Sequence, residues 1–233
     1  MRPTALATAS ALALAMSFST PAPAAEAPAS WDGLAHVESK RAAALYLLPG
    51  ADFSAYTKVM LDPTEVAFQK NWLRDYNRDL VDPTNRISEA EAEKLLAAAR
   101  TGFEETFRKA YSDGGFEVVT SPGPDVLRVR TAVIDLRVTA PDVNNTAGMR
   151  VYARDAGAAT VVLEARDSQS GALLGRAVDR RTAGDGGALL RTKFSNRHDF
   201  GQLFKRWAES SVAGLNELKA RPPLPEPITT ADR

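Results

Sequence analysis

The sequence contains few residues whose type and spacing are typical of a reactive site. It has two histidines, His36 and His198, and no cysteine, which excludes a thiolate nucleophile, a disulfide and a thiolate metal site. The histidines lie far apart, and His198 beside Asp199 is not a catalytic dyad because successive side chains normally point apart. The sequence lacks a nucleophile elbow, an H-E-x-x-H motif, a phosphate loop and a dinucleotide fingerprint. We therefore predict no catalytic residues, no cofactor and no metal site.

Acidic residues offer the remaining route to catalysis. Glu104 and Glu105 are adjacent on a predicted helix, where their side chains diverge by about 100°, so they cannot share a proton. Asp135 or Glu164 would serve a hydrolase only if the fold brought two acids within about 10 Å of each other. Glu164 and Asp167 lack the dense oxygen spacing of a calcium loop. We predict that the protein is not an enzyme, with a carboxylate-dependent hydrolase as the alternative.

Six residues in two groups are candidates for a surface that binds a partner or ligand. They are Pro49, Gly50, Asp52, Tyr56, Arg128 and Arg130. The first four crowd into one turn, for which a structural role is the alternative interpretation. The two arginines share one face of a predicted strand, and guanidinium groups bind phosphate or carboxylate through paired hydrogen bonds. That face is either an anion site or a solvated basic surface.

The stretch from Ala159 to Arg181 predicts an antiparallel β-hairpin. Two strand-like runs flank Asp167-Ser168-Gln169-Ser170-Gly171, whose residue types favour a tight turn. A second long strand is predicted over Val126 to Val138. Its apolar residues change from odd to even positions along the strand, so we predict a β-bulge near Thr131.

Two amphipathic helices are predicted. The first begins at Ser88, which forms an S-x-x-E capping box with Glu91, and it ends at Gly114-Gly115. The second runs from Phe200 to Lys219 with Asp199 as its N-cap. Each helix has one apolar stripe, so each needs another layer to cover that stripe.

The order of elements predicts the fold class. Short strands, a helix, a run of strands and a final helix indicate an α+β fold, with a mostly antiparallel sheet and two main helices packed on one face. We assign residues 25–35 to a spacer, 36–220 to a single domain and 221–233 to a disordered proline-rich tail. The chain has 29 basic and 29 acidic residues, and this balance gives no field that favours nucleic acid.

Residues 1–24 have the pattern of a secretory signal peptide. Arg2 supplies a short positive region, Ala5 to Phe18 is an apolar run, and Ala22-Pro23-Ala24 suits a signal peptidase. We place cleavage after Ala24, with Ala25 as the second choice. A retained anchor is the alternative, but the run is too short to span the ~30 Å bilayer core. We therefore expect export to the periplasm of a Gram-negative envelope, without a transmembrane span or lipid anchor.

Four segments together resemble a bacterial envelope family of unknown function, domain of unknown function 3313. They are YLLPGADFSAYTKVMLDPTEVAF (Tyr46 to Phe68), PGPDVLRVRTAVIDL (Pro122 to Leu136), EARDSQSGALLGRAVDR (Glu164 to Arg180) and RWAESSVAGL (Arg206 to Leu215). The resemblance covers His36 to Leu218 and implies an envelope-associated protein with no assigned reaction. Many relatives look like lipoproteins with a cysteine after the signal. This chain lacks that cysteine, which favours a soluble form.

These observations predict a non-enzymatic module that binds an envelope protein or another envelope component. A carrier for a lipid or an anionic metabolite, held between the sheet and its helices, is the alternative. The carrier requires an apolar pocket, whereas a filled core would exclude it.

Overall fold

The computed structural model describes residues 28–80, 83–139, 151–153, 155–184, 189–191 and 193–225. Within these ranges the helices are α1 (Trp72–Asp79), α2 (Glu89–Asp113) and α3 (Lys193–Lys219). The strands are β1 (Ser30–Trp31), β2 (Leu34–Val37), β3 (Ala44–Leu47), β4 (Lys58–Leu61), β5 (Glu65–Phe68), β6 (Glu117–Val119), β7 (Val126–Val138), β8 (Val151–Ala153), β9 (Gly157–Asp167), β10 (Leu173–Ala183) and β11 (Leu189–Arg191). A 3₁₀ turn covers Pro83–Asn85.

The main sheet is mixed. Its strand order is β1-β2-β3-β10-β9-β7-β4-β6, with β5 also paired to β7. In this order, all neighbouring strands from β1 through β10 and β9 to β7 pair antiparallel. Strands β4 and β5 run parallel to β7, and β6 runs parallel to β4. The α+β class is therefore confirmed, but the sheet is partly parallel. Helices α1 and α2 lie between β5 and β7 in the chain, and such a long connection is what parallel strands require.

The β9–β10 hairpin is confirmed. Its strands pair antiparallel, and Gly171 has the left-handed φ of +73° that the turn requires. Val161 on β9 lies in the core. On the opposite face, Glu164 Oε1 accepts a hydrogen bond from Arg176 Nη2 at 2.8 Å across the two strands, as the alternation predicts.

The predicted irregularity in β7 exists but lies further along the strand than Thr131. The register shifts between Ile134 and Arg137, and Asp135 has a φ of +51°. Thr131 does not interrupt the inward-facing series because it is itself buried, with its hydroxyl 2.7 Å from the Thr64 hydroxyl. The predicted position of the bulge is therefore wrong, because Thr131 is a polar residue that continues the buried face of β7.

The start of α2 is confirmed, but that of α3 is earlier than predicted. Ser88 and Glu91 form the reciprocal capping box, and Gly114 caps the other end of α2. Helix α3 begins at Lys193, so Asp199 lies inside it and is not the N-cap. Residues 193–199 contain no glycine or proline that would stop a helix, and a capping-type residue alone does not fix the start.

The core lies between one face of the sheet and the two long helices. Its buried residues include Phe103 and Phe107 of α2, Trp207 of α3, and Val133 and Val161 of the sheet. No helix within the described ranges is both long and apolar enough to cross a membrane.

The ordered chain begins before residue 36. Strands β1 and β2 begin within residues 25–35, assigned above to a spacer, and β2 pairs with β3 in the main sheet. The Gly50 N–H donates to the Leu224 carbonyl at 2.8 Å, so the start of the predicted tail contacts the domain. The signal peptide, the connection Pro141–Gly148 and residues 226–233 lie outside the described residues.

Candidate ligand-binding cavity

The predicted turn joins β3 to β4 and contacts the end of α3. Gly50 has a φ of +78°, and Asp52 Oδ1 accepts a hydrogen bond from the Ser54 N–H at 2.8 Å. The Tyr56 hydroxyl donates to Asp167 Oδ2 at 3.1 Å, while the Tyr56 carbonyl accepts from Lys219 Nζ at 2.6 Å. Pro49 is half-buried beside Gly50. These contacts fix the turn to the hairpin and to α3.

Arg128 and Arg130 lie on the face of the sheet that points away from the core, which we call the outer face. Arg128 Nε lies 3.0 and 2.9 Å from the two carboxylate oxygens of Asp62, and Arg130 Nε lies 3.6 Å from the same group. Arg130 Nη2 is also 3.7 Å from Glu65. An anion that bound the two arginines would have to compete with Asp62. The structure does not bring the arginines together with the turn.

The acidic residues considered for hydrolysis have separate surroundings. Asp135 lies in the bulge of β7. Burial opposes ionisation of Glu164, but hydrogen bonds from Arg176 and Arg166 outweigh it and keep the pKa of its carboxyl below the usual value. A general acid requires the opposite shift. No group of three or more acidic or histidine side chains within the described ranges is placed to hold a metal ion.

A cavity of about 850 Å³ lies between the inner face of the sheet and α3. Its apolar walls include Leu45 and Leu47 from β3, Val161 and Leu163 from β9, and Trp207 from α3. This volume lies within the range of about 300–1,000 Å³ that is usual for small-molecule sites. The cavity is open to solvent on one side, where the exposed residues Lys40, Arg41 and Glu217 line it.

Small residues of the helix and the sheet line this cavity. On α3 they are Ser210, Ser211 and Gly214, and on β10 they are Gly175 and Ala177. The space beside Gly175 is filled, because a Cβ added there would lie 3.0 Å from Leu47 Cδ2. The space beside Gly214 is more open. A Cβ added to Gly214 would have no neighbour closer than Arg41 Cδ at 4.0 Å.

One buried carboxylate lies in the wall of the cavity. Asp179 is 8% exposed, and its Oδ2 accepts a hydrogen bond from Trp207 Nε1 at 2.8 Å. Oδ1 accepts from the Ala43 N–H at 3.2 Å, and Arg181 Nε also donates to Oδ2. Asp179 therefore joins α3, β10 and the loop before β3, and it orients the Trp207 indole in the wall.

The mouth of the cavity is formed by the loop of residues 38–43 and by the last turns of α3. The Ser39 hydroxyl accepts hydrogen bonds from the N–H groups of Arg41 and Ala42 at 3.1 and 3.3 Å, which shapes the loop. Arg41 Nη2 then reaches Glu217 Oε1 on α3 at 2.6 Å. This ion pair bridges the two sides of the mouth.

The cavity residues were not identified from the sequence. In the structure the Ser211 hydroxyl pairs with that of Tyr111 at 2.7 Å. The sequence does contain a signal, since the small residues Ser210, Ser211 and Gly214 interrupt the large apolar residues along α3. The signal does not predict a cavity unless one knows that Gly175 and Ala177 of β10 line the same space.

The comparisons with known proteins identify the family. A family profile described as "Protein of unknown function (DUF3313)" matches residues 24–211. The chain belongs to this family. The resemblance of the four sequence segments is thereby confirmed, and the DUF3313 description assigns no activity. A search of curated proteins finds no match.

Solved structures show only distant likenesses to this DUF3313 chain. A PelC dodecamer from Paraburkholderia phytofirmans is 14% identical, with 76% of this chain and 97% of that chain covered and a TM-score of 0.34. Protein XCC0632 from Xanthomonas campestris is 11% identical, with 74% and 88% covered and a TM-score of 0.35. At such TM-scores neither likeness carries an argument about function.

Proposed function

We propose that this protein is a non-enzymatic binding protein that holds a small apolar ligand between its sheet and α3. The observation that carries the proposal is the cavity of about 850 Å³, whose lining combines apolar side chains with small residues and charged residues. The sequence ranks a protein-binding module first and a small-ligand carrier second. The cavity supports the carrier, because a carrier requires a pocket with apolar walls.

Burial of apolar ligand surface supplies the driving force. Each methylene group transferred from water into the cavity contributes about 0.8 kcal/mol. The cavity exists before binding, and a preformed site avoids much of the ordering cost of association. Asp179 adds rigidity because it holds Trp207 and the loop before β3 together.

Filling the cavity tests the proposal. A Leu side chain at position 214 would enter the cavity beside Arg41, whose Cδ lies 4.0 Å from the added Cβ, and no positive φ opposes the substitution. We expect Gly214→Leu to weaken binding of the neutral dye Nile red at least about tenfold, a loss of about 1.4 kcal/mol. The measurement is a fluorescence titration of the purified full chain.

Gly201→Leu is the matched control, since Gly201 lies in the same helix, does not line the cavity and has open space around its Cα. Both substitutions improve helix propensity, so a change in helix stability would affect both variants. Equal dye binding by the two variants, or no binding by the unmodified chain, would refute the cavity as a ligand site. Binding only to a protein partner would restore the interaction-module hypothesis.

We further propose that the protein acts in the cell envelope after export and cleavage of residues 1–24, without a lipid anchor. Support comes from the pattern of a positive residue, an apolar run and a small-x-small site, together with the absence of cysteine. N-terminal sequencing of protein from a periplasmic extract should begin at Ala25 or Glu26. A cytosolic protein that retains Met1 or Arg2 would contradict this assignment.

A further inference from the structure

The mouth of the cavity carries more cationic than anionic groups. Lys40, Arg41 and Arg221 line it together with Glu38 and Glu217, and all five residues are exposed. The other charged residues of the lining are Glu164 and Arg176, which pair with each other, and Asp179, which pairs with Arg181 outside the lining. Among these exposed residues at the entrance, three cations therefore stand against two carboxylates.

Arg41 already binds a carboxylate at this entrance. Its Nε and Nη2 lie 3.1 and 2.6 Å from the same oxygen of Glu217, Oε1. The hydrogen bond from Arg41 lowers the pKa of the Glu217 carboxyl, and the charge of Arg221 adds to this effect. Both side chains are nearly half exposed, at 42% and 48%. Such exposed ion pairs are weak, so another carboxylate can exchange with Glu217.

The path of the Arg41 side chain connects this anion site to the cavity. Arg41 Cδ lies 4.0 Å from the point where a Cβ of Gly214 would be, so the arginine crosses α3 where the helix has no side chain. Trp207 lies two helical turns before Gly214 and lines the same space. A head group held by Arg41 would therefore place an attached alkyl chain along this wall.

We propose that the ligand is an amphiphile with a carboxylate head and an alkyl chain. The head replaces Glu217 on Arg41, and the chain occupies the cavity beside Trp207. Glu217 thus keeps Arg41 paired in the empty protein and competes with the ligand. This inference rests on the proposed function, and it adds the chemical class and orientation of the ligand.

Displacement of Nile red by dodecanoate, dodecanol and dodecyltrimethylammonium tests the head group, since the three probes share one alkyl chain. The titrations use the full chain at probe concentrations below micelle formation. We expect dodecanoate to bind about tenfold more tightly than dodecanol, as for a charge-assisted hydrogen bond. Dodecyltrimethylammonium should bind more weakly than dodecanol because of the excess positive charge.

Two variants should shift dodecanoate affinity in opposite directions. Arg41→Gln should remove the preference for dodecanoate over dodecanol, whereas Glu217→Gln should increase dodecanoate affinity about threefold because the competing carboxylate is gone. Both positions are exposed, so the fold should tolerate these changes. Arg74→Gln, at an exposed arginine paired with Asp75 on α1, is the control and should change neither affinity.

The outcomes separate this inference from the proposed function. Equal binding of dodecanoate and dodecanol by the unmodified chain, with Nile red still bound, would overturn the carboxylate head and leave the apolar site intact. Equal loss of dodecanoate and dodecanol binding in Arg41→Gln would also overturn it, because Arg41 would then contribute to the cavity wall without binding the carboxylate head. Failure of Nile red itself to bind would refute the apolar site.

Discussion

Asp179 brings a negative charge into the wall of a largely apolar cavity, where three donors surround it. Trp207 Nε1, the Ala43 N–H and Arg181 Nε all donate to its carboxylate. A buried donor that loses its acceptor retains its full desolvation cost. The importance of Asp179 for stability therefore comes from the groups that would be left unpaired without it.

Asp179→Asn should lower the free energy of unfolding by about 2 kcal/mol, because an amide accepts through only one oxygen and its NH₂ faces existing donors. Urea denaturation monitored by circular dichroism measures the change. Asp75→Asn, at an exposed α1 carboxylate paired with Arg74 and Arg78, is the control and should cost less than about 0.5 kcal/mol. Equal effects of the two substitutions would show that the Asp179 contacts do not stabilise the fold.

Gly157 lies very close to the backbone of β7, just after the bulge. A Cβ at this position would lie 1.8 Å from the Arg137 carbonyl oxygen, and Gly157 has a φ of +147°. Gly157→Ala should therefore destabilise the protein by about 3 kcal/mol or more. Gly102→Ala, in the open middle of α2, should instead stabilise it by about 0.5–1 kcal/mol. Thermal unfolding of the two variants measures both effects, and a tolerated Gly157→Ala would contradict the close approach.

At the scale of elements, local sequence signals predict where a helix begins better than they predict a cavity between a helix and a sheet. The capping box of α2 requires only Ser88 and Glu91, which lie three residues apart, so the sequence was sufficient. The cavity is lined by small residues of both α3 and β10. That arrangement depends on how two segments distant in sequence pack together. The residue spacing within either segment does not predict it.

Ser88→Ala should lower the free energy of unfolding by about 1 kcal/mol, since it removes the acceptor of the Glu91 N–H at the start of α2. Chemical denaturation of the variant measures the change. Ser112→Ala, near the opposite end of the same helix, makes the same side-chain change without touching the cap. If the two variants were equally stable, the capping box would contribute nothing to α2.

The register of β7 shows why a correct rule gave an incorrect position. The change from odd to even apolar residues does require an extra residue. Thr131 resembled the break because it is polar, yet Thr64 satisfies its hydroxyl in the core. The actual break at Asp135 is visible only in the pairing with β9, whose register shifts between Ile134 and Arg137, so sequence local to β7 could not locate it.

At the scale of the whole molecule, the α+β class followed from the order of elements, whereas the mixed sheet did not. Strand β7 pairs with β9 on one side and with β4 and β5 on the other. The first partner is near in sequence, but the others lie about sixty residues before it, beyond α2. Periodicity identifies a strand without identifying its neighbours, so the parallel edge required the three-dimensional structure.

Stability should fall as the pH rises from 10 to 12. Burial raises the pKa of Tyr111 to about 12 from its usual 10.0. Below pH 10 the phenol is neutral in both states; between the two values it ionises only in the unfolded chain, which favours unfolding. The loss is at most about 1.4 kcal/mol per pH unit for this group. Urea midpoints across this range should decline, and less steeply in Tyr111→Phe; equal slopes would contradict the assignment.

The central claim is that the cavity between the sheet and α3 holds a small amphiphile. Native mass spectrometry of the full chain purified from its source, compared with a denaturing spectrum, tests it most directly. We predict an additional mass in the native spectrum that disappears on denaturation, persists in Gly201→Leu and is absent from Gly214→Leu. A chain that carries no additional mass, and takes up none after incubation with dodecanoate, would contradict the claim.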